Sequence, residues 1–261
     1  MSDLSKQSQL QATYARDGFV VVRNFLTPDE LSKLCGSLER YIREEVPSLP
    51  DSSAFFHDRE RPETLKQLQH IDDENLVSYV HDKRWVDLAE TLIGEPVRAQ
   101  ERPEWFNKPP GIDHTTPPHQ DNYYFCLTPA SVTTIWVALD PTTEANGALR
   151  YVQGSHTQGI RPHGATKVLG FSQGITDYGP EDAVREQLIE LKPGDAVAHH
   201  GNTIHRAEPN RSETSSRRAF AIVFQAKSCQ RDEQAFGRYM QNVNQQHESL
   251  GLQTSSDETT L

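Results

Sequence analysis

A histidine and an aspartate two positions apart, His119 and Asp121, lie in the stretch Pro118-His119-Gln120-Asp121-Asn122-Tyr123-Tyr124-Phe125. In an extended chain, residues i and i+2 point to the same side, so one imidazole and one carboxylate face one point. A second imidazole would complete two histidines and one carboxylate, the facial triad that suits non-haem Fe(II) with open positions. His205, in Gly201-Asn202-Thr203-Ile204-His205-Arg206-Ala207, is the candidate. So long a separation is expected when the ligands come from different strands of one closed sheet. The pair alone is weak evidence, because 11 histidines and 37 acidic residues make such spacings common, mostly on the surface. Its surroundings strengthen it: Phe125 and neighbouring aromatics set it beside an apolar pocket.

A second feature is Arg217-Arg218, which opens the apolar run Ala219-Phe220-Ala221-Ile222-Val223-Phe224. A charge entering such a strand needs an anionic partner or must reach back to water. A carboxylate-bearing cosubstrate would supply that partner through bidentate hydrogen bonds to a guanidinium. A solvated strand-end arginine is the equal alternative for either residue taken alone. Alternation lets only one of the two point inward. Arg217 shares its side with Ala219, Ala221 and Val223, which leave room. Arg218 shares its side with Phe220, Ile222 and Phe224, which suit packing against helices.

The elements that must position these residues are mostly strands. Residues 19–23 form a β-branched run after Gly18. Thr27-Pro28-Asp29-Glu30 then reads as a capping box with proline at the first helical position, and Leu31, Leu34, Leu38, Tyr41 and Ile42 recur at helical spacing. Residues 47–73, with Phe55-Phe56-His57, lack clean periodicity and read as a long surface loop. A second helix is expected over 75–92, with Trp85, Leu88 and Leu92 on one face, and a strand over 96–106. Residues 132–139 form the clearest strand. Glu144-Ala145-Asn146-Gly147 is a turn before a short strand at 148–152. Residues 159–186 read as a Gly-rich insertion without regular pattern, apart from a short helix from Pro180. Strands near 187–191, 196–199, 203–207 and 217–227 follow, with Gly194-Asp195 turning the chain, then a helix over 231–248. The irregular segments 47–73 and 159–186 are expected to form the mouth for a substrate. Early helices followed by many short strands predict a mainly β fold with flanking helices, a double-sheet jelly roll.

The 261-residue chain has no linker-like segment and reads as a single domain over 1–250, with a polar, disordered tail at 251–261. A net charge of −11 and a pI near 5.4 argue against nucleic acid and anionic membranes as partners. Three widely spaced cysteines, Cys35, Cys126 and Cys229, fit reduced thiols, and the polar residues 1–11 lack an apolar signal region. The expectation is a soluble cytoplasmic protein.

Taken in order, His119-Gln120-Asp121, Thr134-Ile135-Trp136-Val137-Ala138-Leu139-Asp140, Asn146-Gly147-Ala148-Leu149, Gly154-Ser155-His156 and Gly194-Asp195 leading to His205 and Arg217 resemble the phytanoyl-CoA dioxygenase family of Fe(II)- and 2-oxoglutarate-dependent oxygenases. Asp17-Gly18-Phe19-Val20-Val21 and Phe106-Asn107-Lys108-Pro109-Pro110 extend the match, so the resemblance covers residues 14 to 227. It implies a double-stranded β-helix core, cupin-like in shape. His119, Asp121 and His205 would ligate iron, and Arg217 would bind the far carboxylate of 2-oxoglutarate. The family spaces this arginine closer to the distal histidine, which keeps Arg218 as a rival. Trp136 would lie near the cosubstrate or in the core. His156, His199 and His200 read as structural, while His57, His114 and His163 sit in expected loops. The chemistry implied uses O2 to hydroxylate an aliphatic carbon of a small-molecule metabolite, with release of succinate and carbon dioxide. A carboxylate at position 121 favours hydroxylation over halogenation. The rival is a non-catalytic or 2-oxoglutarate-independent metal-binding protein on the same barrel.

Overall fold

The computed structural model describes residues 3–168 and 171–249, so the tail expected at 251–261 lies outside the described residues. The chain opens with a helix, α1 (Asp3–Asp17), that its polar sequence did not announce; Leu10 and Tyr14, one turn apart, are its apolar contacts with the core. Gly18 then turns the chain at φ +84°, where a side chain would collide with His156 and Thr203 at 2.5 Å. β1 (Phe19–Val22) and α2 (Pro28–Glu44) follow. The capping box forms as its sequence predicts: Glu30 N donates to Thr27 Oγ1, and Thr27 N donates to Glu30 Oε2 at 2.8 Å. Leu34, Leu38 and Tyr41 turn inward.

The next segment corrects the expectation of a surface loop at 47–73. It contains β2 (Ala54–Phe56) and β3 (Leu65–Leu68), an antiparallel hairpin whose second strand is buried throughout. Strands this short, carrying buried Lys66 and Gln67, show no alternation to read. The helix expected over 75–92 is broken into α3 (Glu74–Val77) and α4 (Lys83–Ile93), because the Asp82 carboxylate accepts from Arg84 N at 2.9 Å and starts a new helix. The strand expected at 96–106 is likewise two, β4 (Val97–Ala99) and β5 (Glu104–Lys108).

β6 (Thr116–His119) ends just before the short helix α5 (Asp121–Phe125), and β7 (Leu127–Thr128) and β8 (Val132–Ala138) follow. After β9 (Leu149–Val152) comes a second correction. The insertion at 159–186 carries an antiparallel pair, β10 (His163–Val168) and β11 (Phe171–Ile175), before the expected short helix α6 (Pro180–Val184). The chain finishes with β12 (Glu186–Ile189), β13 (Ala196–His200), β14 (His205–Ala207), β15 (Arg217–Ala226), β16 (Gln230–Arg231) and α7 (Glu233–Ser249).

Two sheets make the jelly roll. The larger runs β1-β13-β8-β15-β5-β3-β2, with β4 also on β15; the smaller runs β12-β9-β14-β6. The large sheet has two different faces. Ile135, Val137, Phe220, Ile222 and Phe224 point outward and pack against Leu34, Leu38, Trp85 and Leu88 of α2 and α4. Trp136, Ala138, Val197, Ala219 and Ala221 point inward towards Leu149, Tyr151 and Ala207 of the small sheet. Apolar residues of both parities explain why β8 and β15 read as near-continuous apolar runs. Among the described residues, no helix is long and apolar enough to cross a membrane.

Glu30 also ties α2 to α4, since Arg84 Nη2 donates to its Oε1 at 2.6 Å. The Arg84 hydrogen bond, then the Thr27 backbone, holds this carboxyl down at about 2 against an ordinary 4.5. Its stabilisation is therefore complete above pH 4.5 and lost as the pH falls towards 2. Glu30→Ala is expected to cost about 1 kcal/mol at neutral pH, a modest figure because the pair is partly solvated. Urea denaturation of both proteins checks this, and the difference between them should shrink below pH 4.5.

Candidate active site

His119 and His205 stand directly opposite each other on β6 and β14, the two strands at one edge of the small sheet. Their rings are 4.1 Å apart between centroids. Asp121 begins α5 rather than continuing the strand, yet Gln120 between His119 and Asp121 is extended (φ −127°, ψ 124°), so both side chains keep the same side. Gln120 itself is fully buried and points away. Its Nε2 donates to Gly159 O at 2.8 Å and Asn202 O at 2.7 Å, and its Oε1 accepts from Arg161 N at 2.8 Å. One glutamine thus fixes the strand end, the segment before β10 and the turn before β14.

Nitrogen and oxygen atoms of His119, Asp121 and His205 all lie within 4.8 Å of one another, and among the described residues these three are the group able to hold a metal ion. Each imidazole directs Nδ1 to a carbonyl, His119 to Pro117 O at 2.8 Å and His205 to Thr203 O at 3.0 Å. That assigns the proton to Nδ1 and leaves the Nε2 lone pair facing Asp121 Oδ1, at 3.6 Å and 3.5 Å. Burial lowers the pKa of both imidazoles, further for His205, while Asp121 opposes the shift; the lowering favours the neutral form that can donate to a cation. Burial alone would raise the Asp121 carboxyl, but His205, His199 and His119 outweigh it and hold it well below the usual range. Two neutral imidazoles and one carboxylate converging on one point fit a divalent iron.

His199, read from the sequence as structural, has its structural role at the site itself. On β13 it shares the inward face with Val197, and its Nε2 donates to Asp121 Oδ2 at 3.0 Å. The Tyr151 hydroxyl donates to its Nδ1 at 3.0 Å, and Thr134 Oγ1 donates to the same Oδ2 at 2.8 Å. Alternation from Val197 is the signal that could have found it. His156 and His200 do lie outside this cluster: His156 Nε2 meets Ala15 O at 3.1 Å, and His200 Nδ1 accepts from Asn202 N at 3.0 Å. His163 stacks on Tyr123 with centroids 4.0 Å apart, and its Nε2 accepts from Gln120 N at 3.3 Å.

From the triad a pocket extends past Thr134 and Trp136 to Arg217. Arg217 is 4% exposed, and its guanidinium lies over the Trp136 ring at 5.2 Å from the centroid. Its Nε has no hydrogen-bond partner among the described residues. Burial lowers it to about 10, which leaves it charged at neutral pH. Arg218 faces the other way. Its Nε and Nη2 clamp the Asp140 carboxylate, both at 2.9 Å, so its charge is already matched. His57, Lys66 and Lys108 also line the pocket, and His114 packs edge-on against His57 at 4.6 Å. The segment expected as a mouth thus supplies pocket wall. Burial, then Arg217, pushes Lys108 down to about 6. Burial takes His57 and His114 to about 4 and Lys66 to about 8. A pocket in which cations suppress one another calls for an anion. Glu104, across from Ala221 on β5, is raised to about 7 by burial and then by Asp121; nothing in its sequence context singled it out.

Removing one imidazole should dismantle the metal site while leaving the sheet intact. His205→Ala is expected to lose Fe(II) binding under anaerobic titration while circular dichroism retains the native spectrum. Full iron occupancy in the folded variant would show that these residues are not the ligands.

Comparison with known proteins converges on the same chemistry. The sequence profile described as phytanoyl-CoA dioxygenase (PhyH) matches residues 14–219. The peroxisomal phytanoyl-CoA dioxygenase of Mus musculus is 27% identical over 234 residues, covering 83% of this chain and 68% of that protein. A probable alpha-ketoglutarate-dependent hypophosphite dioxygenase of Stutzerimonas stutzeri is 24% identical over 224 residues, covering 83% and 77%. Among solved structures, the epimerase SnoN in complex with Fe3+, alpha ketoglutarate and nogalamycin RO aligns with a TM-score of 0.71 at 21% identity, over 87% of this chain and 86% of that one. EctD from S. alaskensis with 2-oxoglutarate and 5-hydroxyectoine gives 0.69 at 18% identity, over 87% and 77%. At such identities the two structures establish a shared fold. The profile spans most of the sequence, and the chain belongs to the phytanoyl-CoA dioxygenase family of iron- and 2-oxoglutarate-dependent oxygenases.

Proposed function

We propose that the protein hydroxylates an aliphatic carbon of a small-molecule metabolite, with His119, Asp121 and His205 as the iron ligands and Arg217 as the anchor for 2-oxoglutarate. The observation that carries this reading is the buried guanidinium of Arg217, which lacks a partner at Nε and opens into the same pocket as the triad. The donor set fits iron, and a buried, charged arginine fits the carboxylate of a 2-oxo diacid.

Iron bound with 2-oxoglutarate supplies the oxygen chemistry, in which O2 converts 2-oxoglutarate to succinate and carbon dioxide and one oxygen atom goes to a substrate carbon. The chain's own residues do the positioning. Thr134 and His199 occupy Asp121 Oδ2, which leaves Oδ1 to the metal. The Trp136 ring supports the Arg217 guanidinium through a cation–π contact. Ala219 and Ala221 keep the interior wall low enough for a cosubstrate. Burial of His119 and His205 would shield an ion that they hold from bulk water.

Loss of one charge-assisted bond is worth roughly 1.5–3 kcal/mol, or at least about tenfold in affinity. Arg217→Ala is therefore expected to weaken 2-oxoglutarate binding at least about tenfold, and Arg218→Ala only slightly. Titration of the iron–2-oxoglutarate absorption band measures both. The reverse ranking would move the anchor to Arg218, and no effect from either would overturn the 2-oxoglutarate role.

The depressed Lys108 adds a pH dependence. An incoming dianion favours its charged form and raises its pKa from about 6. At neutral pH the free protein must therefore take up protons as 2-oxoglutarate binds. Affinity should be greatest below about pH 6 and fall as the pH rises through the window above it. Calorimetry in two buffers of different ionisation enthalpy counts the protons, and Lys108→Met should remove the larger part of the uptake near pH 6–7.

A further inference from the structure

Along the inner face of β15, Arg217, Ala219, Ala221, Val223 and Gln225 follow at every second residue. Arg217 lines the pocket described above, whereas Val223 and Gln225 line a second pocket of about 190 Å³ at the opposite end of the strand. Their linings adjoin at one cross-strand pair. Val223 stands directly across from Thr134, whose hydroxyl holds Asp121. Phe125, one helical turn after Asp121 on α5, forms the facing wall. The second pocket is therefore walled by two residues, Val223 and Phe125, that are each one contact removed from Asp121, beyond it from Arg217.

The lining of this pocket is polar in a particular way. Gln100 and Gln225 each enclose a carboxamide oxygen that has no hydrogen-bond partner among the described residues. Gln225 pairs across the sheet with Arg98, whose Nη2 donates to Cys229 O at 3.2 Å. Arg231 and Glu233 pair with each other at the rim, at 3.0 Å. Enclosed oxygens demand donors, and leaving them unpaired costs more than the bond itself is worth. An alkyl chain would leave both unpaired. An ammonium group would satisfy them but meets two arginines against a single glutamate. Hydroxyl groups satisfy the oxygens without charge and can also accept from Arg98.

We propose that this second pocket binds the hydroxyl-rich part of the substrate, so that the carbon to be oxidised belongs to a polyhydroxylated, sugar-like molecule. The proposal rests on the dioxygenase reading for its chemistry, but the pocket can be tested by itself. The probes are myo-inositol and methyl β-D-glucopyranoside, with toluene as the apolar control, added to protein holding Zn(II) in place of Fe(II) together with 2-oxoglutarate. Saturation-transfer NMR is expected to show contact with the two polyols. The signal should fall at least about threefold in Gln225→Met and in Gln100→Met, each losing one hydrogen bond. Thermal melting establishes that each variant is folded; if one is not, the other decides. Absence of polyol contact in the wild type, equal contact in the folded variants, or preference for toluene overturns the proposal. The signals of 2-oxoglutarate in the same samples report separately on the cosubstrate pocket, so failure of that reading is distinguishable from failure of this one.

Discussion

The carboxylate of Asp121 is a buried negative charge, and its two oxygens answer to different groups. Oδ1 faces the Nε2 atoms of His119 and His205, while Oδ2 takes hydrogen bonds from Thr134 and His199. A buried anion is tolerable only when it is paired and hydrogen-bonded. Its partners come from both sheets: β6 and β14 of the smaller, β8 and β13 of the larger. The interaction thus demands that the two sheets close face to face at this level, and the remaining features of the interior are arranged around that demand.

β15 shows how. Its outward residues are Phe220, Ile222 and Phe224, which fill the layer beneath α2 and α4. Its inward residues are mostly small, with an arginine at one end and a glutamine at the other. Bulk outside gives stability through burial; lack of bulk inside keeps space open beside the triad. Arg217 and Arg218, adjacent in sequence, divide the same way. The outward one is neutralised by Asp140, and the inward one retains an unmet charge.

Second-layer contacts give the site its rigidity. Gln120 binds three backbone groups from two other segments, and Tyr151 orients His199 from behind. Side chains locked in this way hold His119, Asp121 and His205 in place, so little reorganisation would be needed for them to take a metal ion.

Much of this was legible in the sequence because its signals are local. The capping box at Thr27, the parity of Arg217 and Arg218, the strand at 132–139 and the two-residue spacing of His119 and Asp121 each depend on a handful of consecutive residues. What the sequence hid depends on distant partners. α1 is polar and earns its helix from packing on the core through Leu10 and Tyr14. The hairpins within 47–73 and 159–186 are strands only because a neighbouring strand accepts them, which no periodicity announces. His199 became part of the site because β13 runs beside β8 and brings it to Asp121. Glu104, Gln100 and Gln225 matter because folding removed water from them. The sequence by itself determined which residues could carry the chemistry and which way each would face along its own strand. The tertiary structure decided which of them share one desolvated space, because burial and the approach of strands far apart in the chain set the charge state and the unmet hydrogen bonds of every group there.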